Sequence, residues 1–453
     1  MRVYLDNCVI QDLKNDSRKS LLDLVIYSKG EFIYCFSDAH IQDLSRDKTD
    51  NKFADMGFME TIVDDNCCYY DKAFLVDNFT PIEYYNRFDW SSITSATELL
   101  NNLSEDDTFG KLFKSMMSIF STIPLNFKEL ISKNQLPDDM PSNMKSLLEV
   151  SNMSEFMSAL TNYSDTLTEE QKAFKEQLQY LHKNQIAKNL NSIGIEGYDG
   201  QQITDKEKFR ESYANYYLKQ TNGKGKYRYD LFLDMYNGLE FFGFVQGDAK
   251  KQKMMNMIND GRHAFLGGFC DIVVSKDKDF INKTKFMYDL CEIQTKVYTI
   301  PEFEKYLKDC NQSKNKGLSN LLAELENKET QTNVIRDVEE NNERIIYKRL
   351  SDTYFGYFNV LIIHSNGNIY FSKEKNLFGT GTLIKEISFC VNQLVDELGI
   401  DIFEHGYWED GGLEKEKEKE WRGRTWVLNN EIVIDLKFSD KLYMVVGKVI
   451  QSN

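Results

Sequence analysis

Two short apolar runs, far apart in the chain, end in the same way. Val3-Tyr4-Leu5 leads into Asp6-Asn7, and Ile272-Val273-Val274-Ser275 leads into Lys276-Asp277-Lys278-Asp279. Runs of this length and β-branched character read as strands. An acid at a strand's carboxyl end sits where open α/β sheets gather their ligands. The chain is therefore constrained to bring its first residues and a segment beyond its midpoint to one edge of one sheet.

The neighbours of each run extend the pattern. After Asp6 come an apolar turn at Val9–Leu13, an apolar helix around Leu21–Ile26, and a strand at Phe32–Phe36, giving the order strand, helix, strand. Ser37 stands where a helix N-cap belongs, and the helix Asp38–Leu44 turns Asp43 toward the sheet if Ile41 and Leu44 are buried. Before the second run, Asn259–Phe269 reads as a small-residue helix packed closely on a sheet. After it, Val297–Ile300 reads as a last strand, with Pro301 at a favoured first helical position.

These four stations resemble the motifs of PIN-domain ribonucleases. Tyr4-Leu5-Asp6-Asn7 is similar to the family's first-acid motif, and Ser37 through Leu44 to its second, with Asp43 in the place of a Glu. Asn259-Asp260 resembles the third motif, and Ser275-Lys276-Asp277-Lys278-Asp279-Phe280 the fourth. About 215 residues separate Asp43 from Asn259, an interval that loop-closure entropy tolerates because it grows only logarithmically with length. The resemblance implies an α/β, PIN-like core with a small parallel sheet, split into residues 1–50 and 251–310. Between them lies a large, mainly helical insertion (51–250); a linker (311–340) and a C-terminal α+β domain (341–453) follow.

It also implies a chemistry. Carboxylates about 4 Å apart repel by roughly 4 kcal/mol at an effective dielectric of about 20, so such a cluster persists where hard cations with oxygen ligands offset it. Asp6, Asp260 and Asp277 are the expected ligands of Mg²⁺ or Mn²⁺, with Asp43 a fourth and Asp279 a weaker candidate. Water activated at the ion then attacks a phosphodiester, and no Ser, Cys or His nucleophile is required. Taken one at a time, each Asp reads equally as a helix cap or strand end. Asn7, Ser37 and Ser275 are expected to orient ligands or water, or to be turn and cap residues. His40 and His263 lie one turn from the acids, at positions typical of packed helix residues. Arg46, Lys48, Lys250, Lys251, Lys253 and Arg262 offer a local basic rim to nucleic acid, or a solvated face.

Composition bounds the rest. The 453 residues suffice for two or three domains. A net charge of −16 works against a broad, sequence-independent grip on a phosphate backbone, so any such binding is local. The 8 cysteines include no Cys-x-x-Cys pair and no His at zinc spacing, which argues against a zinc site. No apolar run is long enough to span a bilayer, and no signal peptide opens the sequence; the expectation is a cytoplasmic protein with reduced thiols and no membrane partner.

Within 51–250, aromatic segments such as Tyr69-Tyr70, Tyr84-Tyr85 and Phe88-Asp89-Trp90 suit core packing better than base stacking. Thr168-Glu169-Glu170-Gln171 and Thr204-Asp205-Lys206-Glu207 read as capping boxes, and Tyr227–Asp234 as a returning helix. A polar helix is expected at Leu318–Lys328. The C-terminal pattern is a hairpin, Val360–His364 to Ile369–Ser372 around Asn366-Gly367, then a helix, Leu383–Leu398, and two strands, Glu431–Phe438 and Leu442–Ile450. Gly379-Thr380-Gly381-Thr382 lacks the Lys of a phosphate loop, and Glu414–Glu420 reads as a solvated charge run. No chemistry is apparent in this domain, which is expected to bind a protein partner or mediate self-association.

The leading expectation is a divalent-metal-dependent endonuclease, acting on RNA rather than DNA by resemblance, and suited to a regulated toxin, stress or antiviral defence effector. The alternatives are a catalytically silent PIN-like scaffold that binds RNA or protein, and a structure-specific DNA nuclease.

Overall fold

The computed structural model describes residues 1–71, 73–87, 194–197, 203–220, 229–241, 244, 254–312, 317–321, 334–340, 343–365, 367–374, 380–408, 423–428, 432–438 and 442–448. Two sheets organise these residues. The first has six strands. β1 (Arg2–Leu5) lies at its centre, flanked in parallel by β2 (Ile33–Ser37) and β5 (Ile272–Ser275), with β3 (Asn66–Asp71) and β6 (Lys296–Thr299) parallel beyond them. β4 (Ala73–Asn78) adds an antiparallel edge next to β3.

Burial on both faces explains why β1, β2 and β5 are apolar throughout except for Arg2, Ser37 and Ser275 at their ends. One face packs Val3, Leu5, Phe36 and Ile272 against α1 (Asn7–Leu13), α2 (Lys19–Tyr27), α4 (Asn51–Val63) and α10 (Ile300–Gln312). The other packs Tyr4, Ile33 and Val273 against α6 (Lys206–Gln220), α7 (Tyr229–Phe241), α8 (Met254–Gly267) and α9 (Lys278–Leu290). α3 (Asp38–Ser45) and α5 (Pro81–Asn86) complete this unit. The close seat of α8 requires Gly267: a Cβ there would lie 2.6 Å from Val273 Cγ2.

The second sheet has seven antiparallel strands. They run in the order β11 (Arg424–Leu428), β12 (Ile432–Phe438), β13 (Leu442–Lys448), β10 (Ile369–Ser372), β9 (Phe358–His364), β8 (Glu343–Tyr354) and β7 (Val334–Glu340). The amphipathic helix α11 (Thr380–Leu398) buries Ile387, Val391 and Leu394 in the core with Phe358, Phe371, Trp426, Ile434 and Met444. The expected hairpin, helix and final strand pair are all present.

α11 also ties the two units together, at the end of the parallel sheet where strands begin. Glu386 Oε2 accepts from Arg2 Nη2 at 2.8 Å, and its Oε1 from Lys373 Nζ at 2.6 Å. Lys373 reaches on to Asp271 Oδ2 at 3.0 Å. Lys385 Nζ donates to Asp65 and Asn66 at 2.7 Å each. Asp6 and Asp277 lie at the opposite end of the same strands, so the C-terminal unit grips the edge remote from them.

Three boundaries differ from expectation. The sheet does not stop near residue 50: α4, β3 and β4 continue it to Asn78. The segment expected as a linker holds β7, whose side chains are mostly exposed because it is an edge strand. Asp205, not Thr204, opens α6, its Oδ1 accepting from the backbone of Glu207 and Lys208 at 3.1 Å. A helix does form at 318–321. Residues Thr168, Phe88, Trp90, Gly379, Leu322 through Lys328 and Glu414 through Glu420 lie outside the described residues, so readings that fall on them have no counterpart here. Among the described residues, no helix is long and apolar enough to cross a membrane.

Candidate metal centre at the carboxyl edge

Asp6 follows β1 and is held by donors on both sides. Ser275 Oγ donates to its Oδ2 at 2.6 Å, and Cys8 Sγ to the same oxygen at 3.0 Å. Burial and the Asp6 charge push the Cys8 thiol up, which keeps it protonated as a donor. Ser275 Oγ also accepts from the backbone N of Asp277 at 3.1 Å, so one hydroxyl joins the two strand ends. Asp277 caps α9, the helix-cap role open to it from sequence: Oδ1 accepts from the backbone N of Asp279 at 2.8 Å and of Phe280 at 3.1 Å. Asp279 occupies the first turn of α9.

Asp260 arrives from α8. Burial is the main cause that pushes its carboxyl up to about 8, and the charges of Asp6 and Asp277 act in the same direction against Lys283 and His263. Three carboxylates from β1, α8 and the β5–α9 junction thus face one electrostatic neighbourhood. They are not clenched: among the described residues, the trio of ligand atoms all within 4.8 Å of one another is Cys35, Cys68 and Cys270. The carboxylates of Asp6, Asp260 and Asp277 therefore do not all lie within 4.8 Å of one another.

Asp43 is differently engaged. Its Oδ2 accepts from His263 Nε2 at 3.2 Å, and its Oδ1 lies 3.2 Å from Arg46 Nη1. Burial works to raise its pKa, but the bond and charge of His263, with Arg46, outweigh burial and lower it. On His263, burial works against the charged form, and Asp43 reverses the balance and raises the pKa. His40 is the opposite case: burial and the neighbouring His263 push it down to about 3, so it is neutral.

The donors and acceptors between these two rings then have one consistent order. His263 Nδ1 donates to Tyr4 Oη at 2.7 Å, Tyr4 donates to Ser37 Oγ at 2.6 Å, and Ser37 donates to His40 Nδ1 at 3.2 Å. His40 Nε2 ends the chain on the Leu5 carbonyl at 2.7 Å, one residue before Asp6. Ser37 also caps α3, accepting from Ala39 N at 3.2 Å. Asn259 braces α8 against α3 through Nδ2 and the Ala39 carbonyl at 2.9 Å. Asn7 presents a buried Oδ1 that has no hydrogen-bond partner among the described residues.

The basic rim is mostly absent from this picture. Arg262 points inward to Asp38 and Gln42, and Arg46 is paired with Asp43. Lys48 is exposed, and Lys250, Lys251 and Lys253 lie outside the described residues. Sequence reasoning also missed Lys283, a fully buried cation with Nζ 4.9 Å from the Tyr236 ring centroid. Its position on the buried stripe Phe280, Ile281, Thr284, Met287 was the signal available. Among the aromatics of the expected insertion, Tyr70 stacks on Tyr229 at 4.7 Å and Tyr84 is buried, as core packing requires.

No protein-family model, curated protein or solved structure matches this chain.

Proposed function

We propose that this chain is a divalent-metal-dependent endonuclease with a PIN-like core split by an insertion, whose ion is held by Asp6, Asp260 and Asp277. The observation that carries the reading is that acids from β1, α8 and the β5–α9 junction act on one another, so that burial and the charges of Asp6 and Asp277 outweigh Lys283 and His263 and push the Asp260 carboxyl up to about 8. The donor set is hard oxygen, which suits Mg²⁺ or Mn²⁺, and Asn7, next in sequence to Asp6, has a buried Oδ1 with no hydrogen-bond partner among the described residues. An ion bound there supplies Lewis-acid charge to a phosphodiester and acidity to water.

The chain's own residues supply the positioning. Ser275 and Cys8 fix the rotamer of Asp6, Ser275 and the α9 cap fix Asp277, and Lys283 balances part of the charge on Asp260. Asp43 acts through His263 rather than as a fourth ligand, holding the Tyr4–Ser37–His40 chain that ends beneath Asp6. RNA is favoured over DNA by the motif resemblance alone, as is a role in a regulated toxin, stress or defence system. Lys48 and Asp279 are left as peripheral contacts to substrate or ion.

The test is cleavage of single-stranded RNA, single-stranded DNA and branched DNA with Mn²⁺, by the full chain and by Asp6→Asn and Asp277→Asn. The proposal expects RNA cleavage that falls at least about 100-fold in either variant; no metal-dependent cleavage of any of the three substrates would contradict it. A second reading, a catalytically silent scaffold, is favoured by two observations: Asp277 serves as a cap and Asp43 as an ion-pair partner, roles that need no metal.

A further inference from the structure

Cys35, Cys68 and Cys270 lie 33 and 202 residues apart in sequence, yet their sulfurs are all within 4.8 Å of one another. They come from β2, from β3 and from the turn that enters β5, and all three are fully buried. None of the eight cysteines forms a disulfide. Three neutral thiols packed as small apolar groups would need nothing further. The surroundings do not fit that description.

Arg2 lies over the same face of the sheet, 2% exposed. Glu386 takes its Nη2, but Nε and Nη1 are buried without a hydrogen-bond partner among the described residues. A guanidinium buried with two idle donors is costly. Its charge acts on Cys35 and Cys270 as well as on Glu386 and Asp271, so sulfur is among the acceptors within electrostatic reach. Anionic sulfur would satisfy those donors where a neutral thiol barely does.

We propose that Cys35, Cys68 and Cys270 form a buried structural site for one thiophilic d¹⁰ cation, Zn²⁺ or Cu⁺. Metal–sulfur bonds of about 2.3 Å set the sulfurs of one site about 3.8–4 Å apart, which is compatible with three sulfurs all within 4.8 Å of one another. Binding releases the three thiol protons to solvent and involves no change of oxidation state. Three thiolates on Zn²⁺ carry one net negative charge, beside the guanidinium of Arg2. The ion would clip β2, β3 and β5 together below the edge that carries Ser37, Ser275 and Asp277, and it is distinct in place and ligand chemistry from the carboxylate centre.

The test is elemental analysis of the full chain purified without chelator, followed by refolding with Cd²⁺ while the thiolate-to-cadmium absorption is read. The proposal expects about one zinc or copper per chain, which the same measurement tells apart. It expects the metal to be lost in Cys35→Ser and Cys270→Ser and retained in Cys390→Ser, a buried thiol outside the trio. Metal-free folded protein that develops no cadmium band on refolding would overturn it, as would a disulfide within the trio. Should the serine variants not fold, the wild-type metal content and cadmium band decide by themselves.

Discussion

Asp277 does two things at once: its Oδ1 caps α9 while its charge faces Asp260. The two roles separate by mutation. Asp277→Asn keeps a capping oxygen and removes the charge, so it should unfold in urea near wild type yet lose cleavage; Asp277→Ala should also lose about 1 kcal/mol of stability. Asp260 gives a pH signature. Its carboxyl is protonated below about 8, and an ion must displace that proton. The apparent Mn²⁺ affinity should therefore rise about tenfold from pH 6 to pH 7 and level off above 8, as titration calorimetry at several pH values would read. The His263–Asp43 pair has its own window. His263 is raised from 6.5, so its contribution is complete below 6.5 and lost as pH rises through the raised value; Asp43 is lowered from 3.8, so its contribution is complete above 3.8 and lost as pH falls. Denaturation of His263→Gln should show a deficit of about 1–3 kcal/mol that is largest between about pH 4 and 6.5.

Elements were legible where the pattern of burial was written in residue type. β1, β2 and β5 are apolar but for Arg2, Ser37 and Ser275 at their ends because both faces are covered, and Ser37 announces α3 through its cap. β3 was not legible: Asn66-Cys67-Cys68-Tyr69-Tyr70-Asp71 has neither clean alternation nor a β-branched run, and pairing with β2 decides it. β7 was missed because an edge strand with exposed faces has the composition of a linker. The site shows the same split. Strand-end acids announce themselves, whereas Lys283 and the cysteine trio depend on which helix face and which strands meet, information that no local window contains. The closeness of α8 to the sheet is testable: Gly267→Ala places a Cβ against Val273 and should destabilise by about 1–3 kcal/mol, with Val273→Ala restoring part of it.

At the scale of the whole molecule, the acids occupy one edge of the parallel sheet and the C-terminal unit holds the other. Its grip is a chain of buried charges, Arg2 to Glu386 to Lys373 to Asp271, in which burial opposes each charge and the partners restore it. Such a chain contributes little net stability but fails badly when one member is removed. Lys373→Met should cost about 3–5 kcal/mol in chemical denaturation and should loosen the two units, seen as faster proteolysis between them.

The account rests on Asp6, Asp260 and Asp277 holding a divalent ion together. Mn²⁺ binding to the full chain at pH 8, followed by electron paramagnetic resonance, addresses that directly. We expect saturable binding of Mn²⁺ that weakens at least tenfold in each of Asp6→Asn, Asp260→Asn and Asp277→Asn. Binding that is absent in the wild type, or unchanged in all three variants, would contradict it.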